Sequence, residues 1–156
     1  MMVRELTDFR SEKSVVLDTC FIIYEIENQR ESHLIDFCEN NLVILTSFTL
    51  EELEHVSKKL GHEKRRVKDF LKRANINFVK VPISPGDVDG ERAYVDSFDE
   101  DLLSRVHDPS DAILVVAAIK SGSDILTRDK HHLFTSVLEN KLKEYDIKVF
   151  NDLSKI

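Results

Sequence analysis

The chain alternates short β-branched runs with longer stretches whose apolar residues recur every three or four positions. Val15-Val16-Leu17 predicts a strand ending at Asp18, and Phe21, Ile22, Ile23, Ile26, Leu34 and Phe37 predict helical packing through about Cys38. Leu42 to Leu45 predicts a second buried strand, and the spacing of Leu50, Leu53, Val56 and Leu60 predicts another helix. Gly61 marks a break before a charged helix over Glu63 to Arg73, with Val67, Phe70 and Leu71 as its apolar positions. Asn77 to Val81 reads as a third strand stopped by Pro82. A loop over Pro85 to Gly90 and a peripheral acidic helical segment from about Glu91 to Val106 follow. Asp108-Pro109-Ser110-Asp111 is a helix start, and Ala112 to Ile119, apolar on every face, predicts a buried helix ended by Ser121-Gly122. Ile125-Leu126-Thr127 is a fourth strand, His131 to Glu144 a further helix, and Ile147 to Phe150 a last short strand.

Strands alternating with helices predict an α/β fold: a three-layer α/β/α sandwich around a mostly parallel sheet of four to five strands. The length of 156 residues suits a single domain over 1–156. In open parallel sheets ligands bind beyond the carboxyl ends of the strands. Asp18 directly follows the first strand, and Asp129 lies two residues past Thr127 at the end of the fourth. Glu52 falls in the first turns of the helix after the second strand, and Asp111 opens the helix that runs back before the fourth. Helices antiparallel to the strands begin at that same edge, so parallel topology puts all four acids on one rim.

Each acid also has a structural reading. Asp18 can cap the helix that follows it. Thr49-Leu50-Glu51-Glu52 fits a capping box, with Glu51 as an alternative inward carboxylate. Asp111 suits the helix dipole behind an Asp108 cap, and Asp129 can serve a turn or cap the His131 helix. Grouped carboxylates repel one another, however, and the repulsion calls for a cation. With oxygen donors and no Cys or His at metal spacing, that cation is Mg²⁺ or Mn²⁺ rather than Zn²⁺, and phosphoryl chemistry is its usual use.

Composition bounds the partners. With 42% hydrophobic and 33% charged residues, four Gly and three Pro, the chain is globular rather than disordered. The longest strongly apolar run is too short to span a membrane and MMVRELTDFR lacks a signal-peptide core, which predicts a cytoplasmic protein with no membrane partner. Cys20 and Cys38 follow no metal-ligand or redox spacing and read as buried, reduced thiols in apolar surroundings. The net charge of -7 opposes a nucleic-acid partner on average, but Lys58 to Arg73 holds eight Lys or Arg against two acids. Lys64-Arg65-Arg66 has two readings, a solvated helix face and an RNA contact. His131-His132 reads as surface, because adjacent side chains diverge on a helix. A haloacid-dehalogenase-type phosphatase would need Asp where Cys20 stands.

VVLDT at 15–19, SFTLEEL at 47–53, DPSDAILVVAA at 108–118 and ILTRD at 125–129 together resemble the PIN-domain nucleases in order and approximate spacing. The resemblance maps the family's acidic positions onto Asp18, Glu52, Asp111 and Asp129, and its hydroxyl positions onto Thr19 and Thr127. It implies a Mg²⁺- or Mn²⁺-dependent endoribonuclease, often a homodimer, whose partners are RNA and either an antitoxin or an RNA-processing protein. A catalytically inactive PIN fold serving as an RNA- or protein-interaction module is the alternative. The acidic segment Asp87 to Asp101 and the basic stretch around Lys64 match no motif of the family.

Overall fold

A computed structural model of the chain describes residues 5–6, 13–59, 61, 63–129, 133 and 135–156. Five strands, β1 (Ser14–Leu17), β2 (Leu42–Thr46), β3 (Asn77–Val79), β4 (Asp124–Leu126) and β5 (Val149–Phe150), form one sheet in the order β3-β2-β1-β4-β5. Every pairing is parallel. The expected α/β architecture is therefore present, with all five strands parallel.

Side-chain alternation along the strands divides the core into two layers. Val15 and Leu17 of β1 join Val43 and Leu45 of β2 on one face. They pack there with helices α1 (Thr19–Glu27), α2 (Glu31–Asn40) and α4 (Glu63–Arg73). Val16 and Ile44 point the other way, onto α5 (Val88–Phe98), α6 (Leu102–Arg105), α7 (Pro109–Ser121) and α8 (Ser136–Leu142). Helix α3 (Ser47–Lys59) reaches both layers, through Phe48 on one side and Leu53 on the other. Residues Ala112 to Ala118 of α7 are all buried, as their unbroken apolar run predicted. Helix α7 ends on Gly122 at φ 65°, a left-handed conformation that costs glycine little.

Several boundaries differ from those expected. The helix read as continuous from Phe21 to Cys38 is two helices, broken at Asn28 and at Gln29, which has φ 57°. The Asn28 side chain turns back to donate to the Tyr24 carbonyl, and Arg30 pairs with Glu25 at 3.1 Å. The apolar phase of Ile26 and Leu34 carries across the break, which hides it from periodicity. Strand β3 stops at Val79, and the Val81 amide donates to the Ser47 hydroxyl at 2.9 Å instead of joining the ladder. The acidic segment is not peripheral. Helix α5 starts at Val88, capped by Asp87, and buries Val95 fully. Glu91 is buried as well and accepts from the Ser110 hydroxyl at 2.5 Å, which ties α5 to the first turn of α7. Of the helix expected over His131 to Glu144, the described part is α8, capped by the Thr135 side chain, and a 3₁₀ turn over Lys143–Tyr145. His131 and His132 lie outside the described residues. No helix among the described residues is long and apolar enough to cross a membrane.

Candidate metal and catalytic site

The sheet order reverses at β1: the chain moves outward through β2 and β3, then returns to the other side of β1 with β4 and β5. Crevices at such switch points are where open parallel sheets bind ligands. The register sets Leu17 beside Leu126, so the residues that leave the two strands, Asp18 and Thr127, emerge side by side. The Asp18 amide donates to the Leu126 carbonyl at 3.1 Å, extending the pairing to the carboxyl edge.

The Asp18 carboxylate is almost fully engaged. Its Oδ1 accepts from the Thr19 amide at 2.8 Å and caps α1. Its Oδ2 accepts from the Thr127 hydroxyl at 2.7 Å and the Cys20 thiol at 3.0 Å. The Thr127 oxygen in turn accepts from the Asp129 amide at 3.0 Å, so one hydroxyl links the two strand-end aspartates. Glu52 comes from the second turn of α3 and accepts weakly from the Thr19 hydroxyl at 3.3 Å. Its capping role is taken by Thr46, whose hydroxyl oxygen accepts from the Thr49 amide at 3.1 Å. Glu51 faces elsewhere, accepting from Ser84 at 3.4 Å. Asp111 is the third residue of α7, behind Asp108, whose side chain accepts from the Ser110 amide.

Asp18, Glu52, Asp111 and Asp129 all line one open cavity of about 570 Å³. Their electrostatics show the cost of gathering them. Burial pushes the Asp111 carboxyl up to about 9, helped by the charge of Asp18 and a hydrogen bond shared with Asp129. Burial likewise raises Glu52 to about 7, with the Asp18 charge adding to it. Asp18 is also raised by burial, although hydrogen bonds from Cys20, Thr127 and Thr19 pull it back. Without a cation Asp111 and Glu52 keep their protons to higher pH than exposed carboxyls do.

Three further residues of the cavity, Cys20, Tyr24 and Arg128, carried no clear sequence signal. Cys20 is half-buried beside Asp18 rather than in apolar surroundings, and burial next to that carboxylate pushes its thiol up to about 12. It is a neutral hydrogen-bond donor there. Cys38 is fully buried, as expected. Arg128, between Thr127 and Asp129, is the one cation lining the cavity among the described residues. Its guanidinium lies 3.8 Å from the centroid of the Tyr24 ring and donates to the Asn151 carbonyl at 3.0 Å.

The donors fit a hard divalent ion. They are all oxygen and like-charged, and they stand at the edge of an open cavity where water can complete the coordination. Among the described residues no three acidic, His or Cys side chains are drawn tightly enough to form a ready-made cage. Mg²⁺ tolerates that arrangement because it keeps several of its waters.

No curated protein sequence matches the chain. Among solved structures it is similar to VapBC2 from Rickettsia felis, crystallised with a DNA fragment from its promoter. That likeness has a TM-score of 0.53 and 16% identity, covering 76% of this chain and 89% of that one. It is also similar to FitAcB from Neisseria gonorrhoeae, with a TM-score of 0.48 and 17% identity, covering 88% of this chain and 96% of that one. The PIN domain family model matches residues 15–137, a span that runs from the second residue of β1 past β4 and includes Asp18, Glu52, Asp111 and Asp129. With well over half its length matched, the chain belongs to the PIN domain family.

Proposed function

We propose that this chain is a divalent-metal-dependent endoribonuclease that hydrolyses RNA phosphodiester bonds at the cavity formed by Asp18, Glu52, Asp111 and Asp129. The observation that carries the reading is the convergence of four carboxylates from separate segments on the carboxyl edge at the switch point, two of them raised to about 7 and about 9. Such a cluster is costly for the fold, and a catalytic cation explains why it persists.

Asp18, Glu52, Asp111 and Asp129 would hold Mg²⁺ or Mn²⁺. The ion supplies Lewis acidity, activating water at neutral pH and stabilising charge on the leaving oxygen. Thr127 keeps Asp18 and Asp129 in register with each other. Arg128, held over the Tyr24 ring, offers the cavity a fixed positive charge for a non-bridging phosphate oxygen. Ile23, Tyr24 and Val56 give the same cavity an apolar wall on which a nucleobase can stack. The products carry 5′-phosphate and 3′-hydroxyl ends. The family resemblance supports a homodimer in the cytoplasm whose protein partner is an antitoxin or an RNA-processing factor, and the whole chain acting as one domain.

The test is incubation with single-stranded and structured RNA, with Mn²⁺ and with chelator, followed by end analysis. Wild-type protein cleaves only with the metal, while Asp18→Asn and Asp129→Asn keep the fold and lose cleavage. Metal-dependent activity retained in both variants rejects the assignment. Absence of Mn²⁺ binding by calorimetry replaces it with the inactive interaction module.

A further inference from the structure

We propose that the α3–α4 hairpin is the track that holds single-stranded RNA beside the acidic cavity, with Lys59 as its first contact and the Lys64, Lys68 and Lys72 stripe as its continuation. The inference rests on the nuclease reading for the identity of the strand, but not for the existence of an anion-binding face.

An acidic cavity repels the phosphates it has to receive, and the protein carries net charge -7. Arg128 is the only cation lining the cavity among the described residues, so affinity for a polyanion has to come from neighbouring surface. The hairpin is the concentrated source. Residues 58 to 73 hold eight of the 22 cations and two of the 29 acids, leaving 14 cations against 27 acids elsewhere.

Geometry joins this block to the site. Glu52, Val56 and Lys59 stand at i, i+4 and i+7 of α3, on one helical face. Glu52 and Val56 line the cavity, so Lys59, exposed about 10 Å further along the helix, extends the same wall. Beyond it, α4 buries Val67 and Phe70 and turns its opposite side outward. Lys64, Lys68 and Lys72 recur there every four residues as an exposed line about 12 Å long, with Arg65 alongside.

The hairpin's cations divide by use. Arg66 is spent on the fold: it donates to both oxygens of Glu31 on α2 at 2.6 and 2.7 Å and to Glu63 at 2.9 Å. These bonds clamp α4 in place. Arg73 pairs with Asp69 at 3.4 Å. Among the described residues no carboxylate pairs with Lys58, Lys59, Lys64, Arg65, Lys68 or Lys72. A helix anchored by one arginine, with outer lysines that pair with no carboxylate among the described residues, is a preorganised surface for a flexible polyanion. Lysine suits this task, since it contacts a phosphate as a point charge without demanding a fixed geometry.

The test uses the full chain and a labelled 20-nucleotide single-stranded RNA in chelator, read by fluorescence anisotropy across a salt series. The K64A/K68A/K72A variant should bind at least tenfold more weakly at low salt, with a log–log salt slope shallower by about 2, since each lost phosphate contact removes about 0.7. A K143A/K148A/K155A control, equal in charge and also exposed, should leave the slope unchanged. Lys59→Ala should weaken cleavage of a tetranucleotide in Mn²⁺, while the α4 triple variant should affect only the longer substrate, through KM. Equal losses in the two triple variants, or an unchanged slope in the α4 variant, overturn the proposal, as does failure of the wild type to bind the RNA at low salt. Weaker binding by the α4 variant together with no cleavage by the wild type under any divalent ion sustains the track and refutes the nuclease reading.

Discussion

Asp111→Asn isolates the energetic cost of the acidic cavity. In the fold the Asp111 carboxyl keeps its proton until about pH 9, whereas in the unfolded chain it ionises near its ordinary value of 3.8. Folding is thus coupled to proton uptake between those limits. The group's contribution to stability is complete below about pH 4 and is lost progressively as pH rises toward 9. Each pH unit inside that window costs about 1.4 kcal/mol, so the interval from pH 5 to pH 7 alone costs about 3 kcal/mol. Asparagine does not titrate, so the variant escapes this loss. In chelator, the stability of Asp111→Asn relative to wild type should therefore improve by about 3 kcal/mol between pH 5 and pH 7, a relative shift in Tm of roughly 6–12 °C for a chain of this size. Urea melts at the two pH values measure the difference directly, and comparison with the variant cancels every other titrating group that the substitution leaves alone. A difference that changes by less than 1 kcal/mol would mean that Asp111 is solvated and ionised, and the cation argument for the cavity would fail with it.

The remaining predictions concern how the site is held and used. Thr127→Val removes the hydroxyl that donates to Asp18 and accepts from the Asp129 amide, so Mn²⁺ affinity by calorimetry should fall about 10- to 100-fold with the fold intact. Unchanged affinity would show that the two aspartates are positioned without it. Arg128→Gln should weaken RNA binding while strengthening Mn²⁺ binding, because a nearby cation attracts phosphate and repels metal. A fall in both would assign Arg128 to structure, through Tyr24 and Asn151. Gly122→Ala meets no atom within 4 Å of the added methyl, yet it puts a side chain at φ 65°, and should cost about 1 kcal/mol or 2–4 °C in Tm by thermal melt.

The rim of the sheet was legible in the sequence because its logic is topological. Short β-branched runs separated by helices imply parallel pairing, and parallel pairing sends Asp18 and the Thr127-to-Asp129 segment out on one edge. The α7 helix start was legible for a local reason: Asp108 and Pro109 announce it before any packing is known. What stayed hidden was decided by tertiary contacts. Gln29 adopts φ 57° although nothing in its side chain favours that conformation, and the Arg30–Glu25 pair that spans the break becomes visible only when the two helices are folded against each other. Glu91 looked like one more solvated acid, but its burial against Ser110 makes the acidic segment part of the support for Asp111. Arg128 lies in the loop after β4, where no periodicity says which way a side chain turns, and Cys20 is the second residue of α1, where its contact with Asp18 depends on how the strand hands over to the helix.

The capping and functional readings of the acids turn out not to compete, and this decides which substitutions are informative. Asp18 caps α1 with one oxygen and receives Thr127 and Cys20 on the other, so its orientation is fixed before any ion arrives. A carboxylate offers about four lone-pair positions, and three are already occupied, leaving about one for a cation. Asp18→Ala would delete the cap and strand three buried donors, confounding loss of activity with a loss of stability of 1 kcal/mol or more. Asp18→Asn keeps an oxygen that can still cap α1, removes the negative charge, and turns the acceptor facing Thr127 and Cys20 into an NH2 donor. A folded Asp18→Asn protein that no longer binds Mn²⁺ therefore reports on the charge and the Oδ2 acceptor with the cap preserved, whereas the alanine variant loses the cap as well.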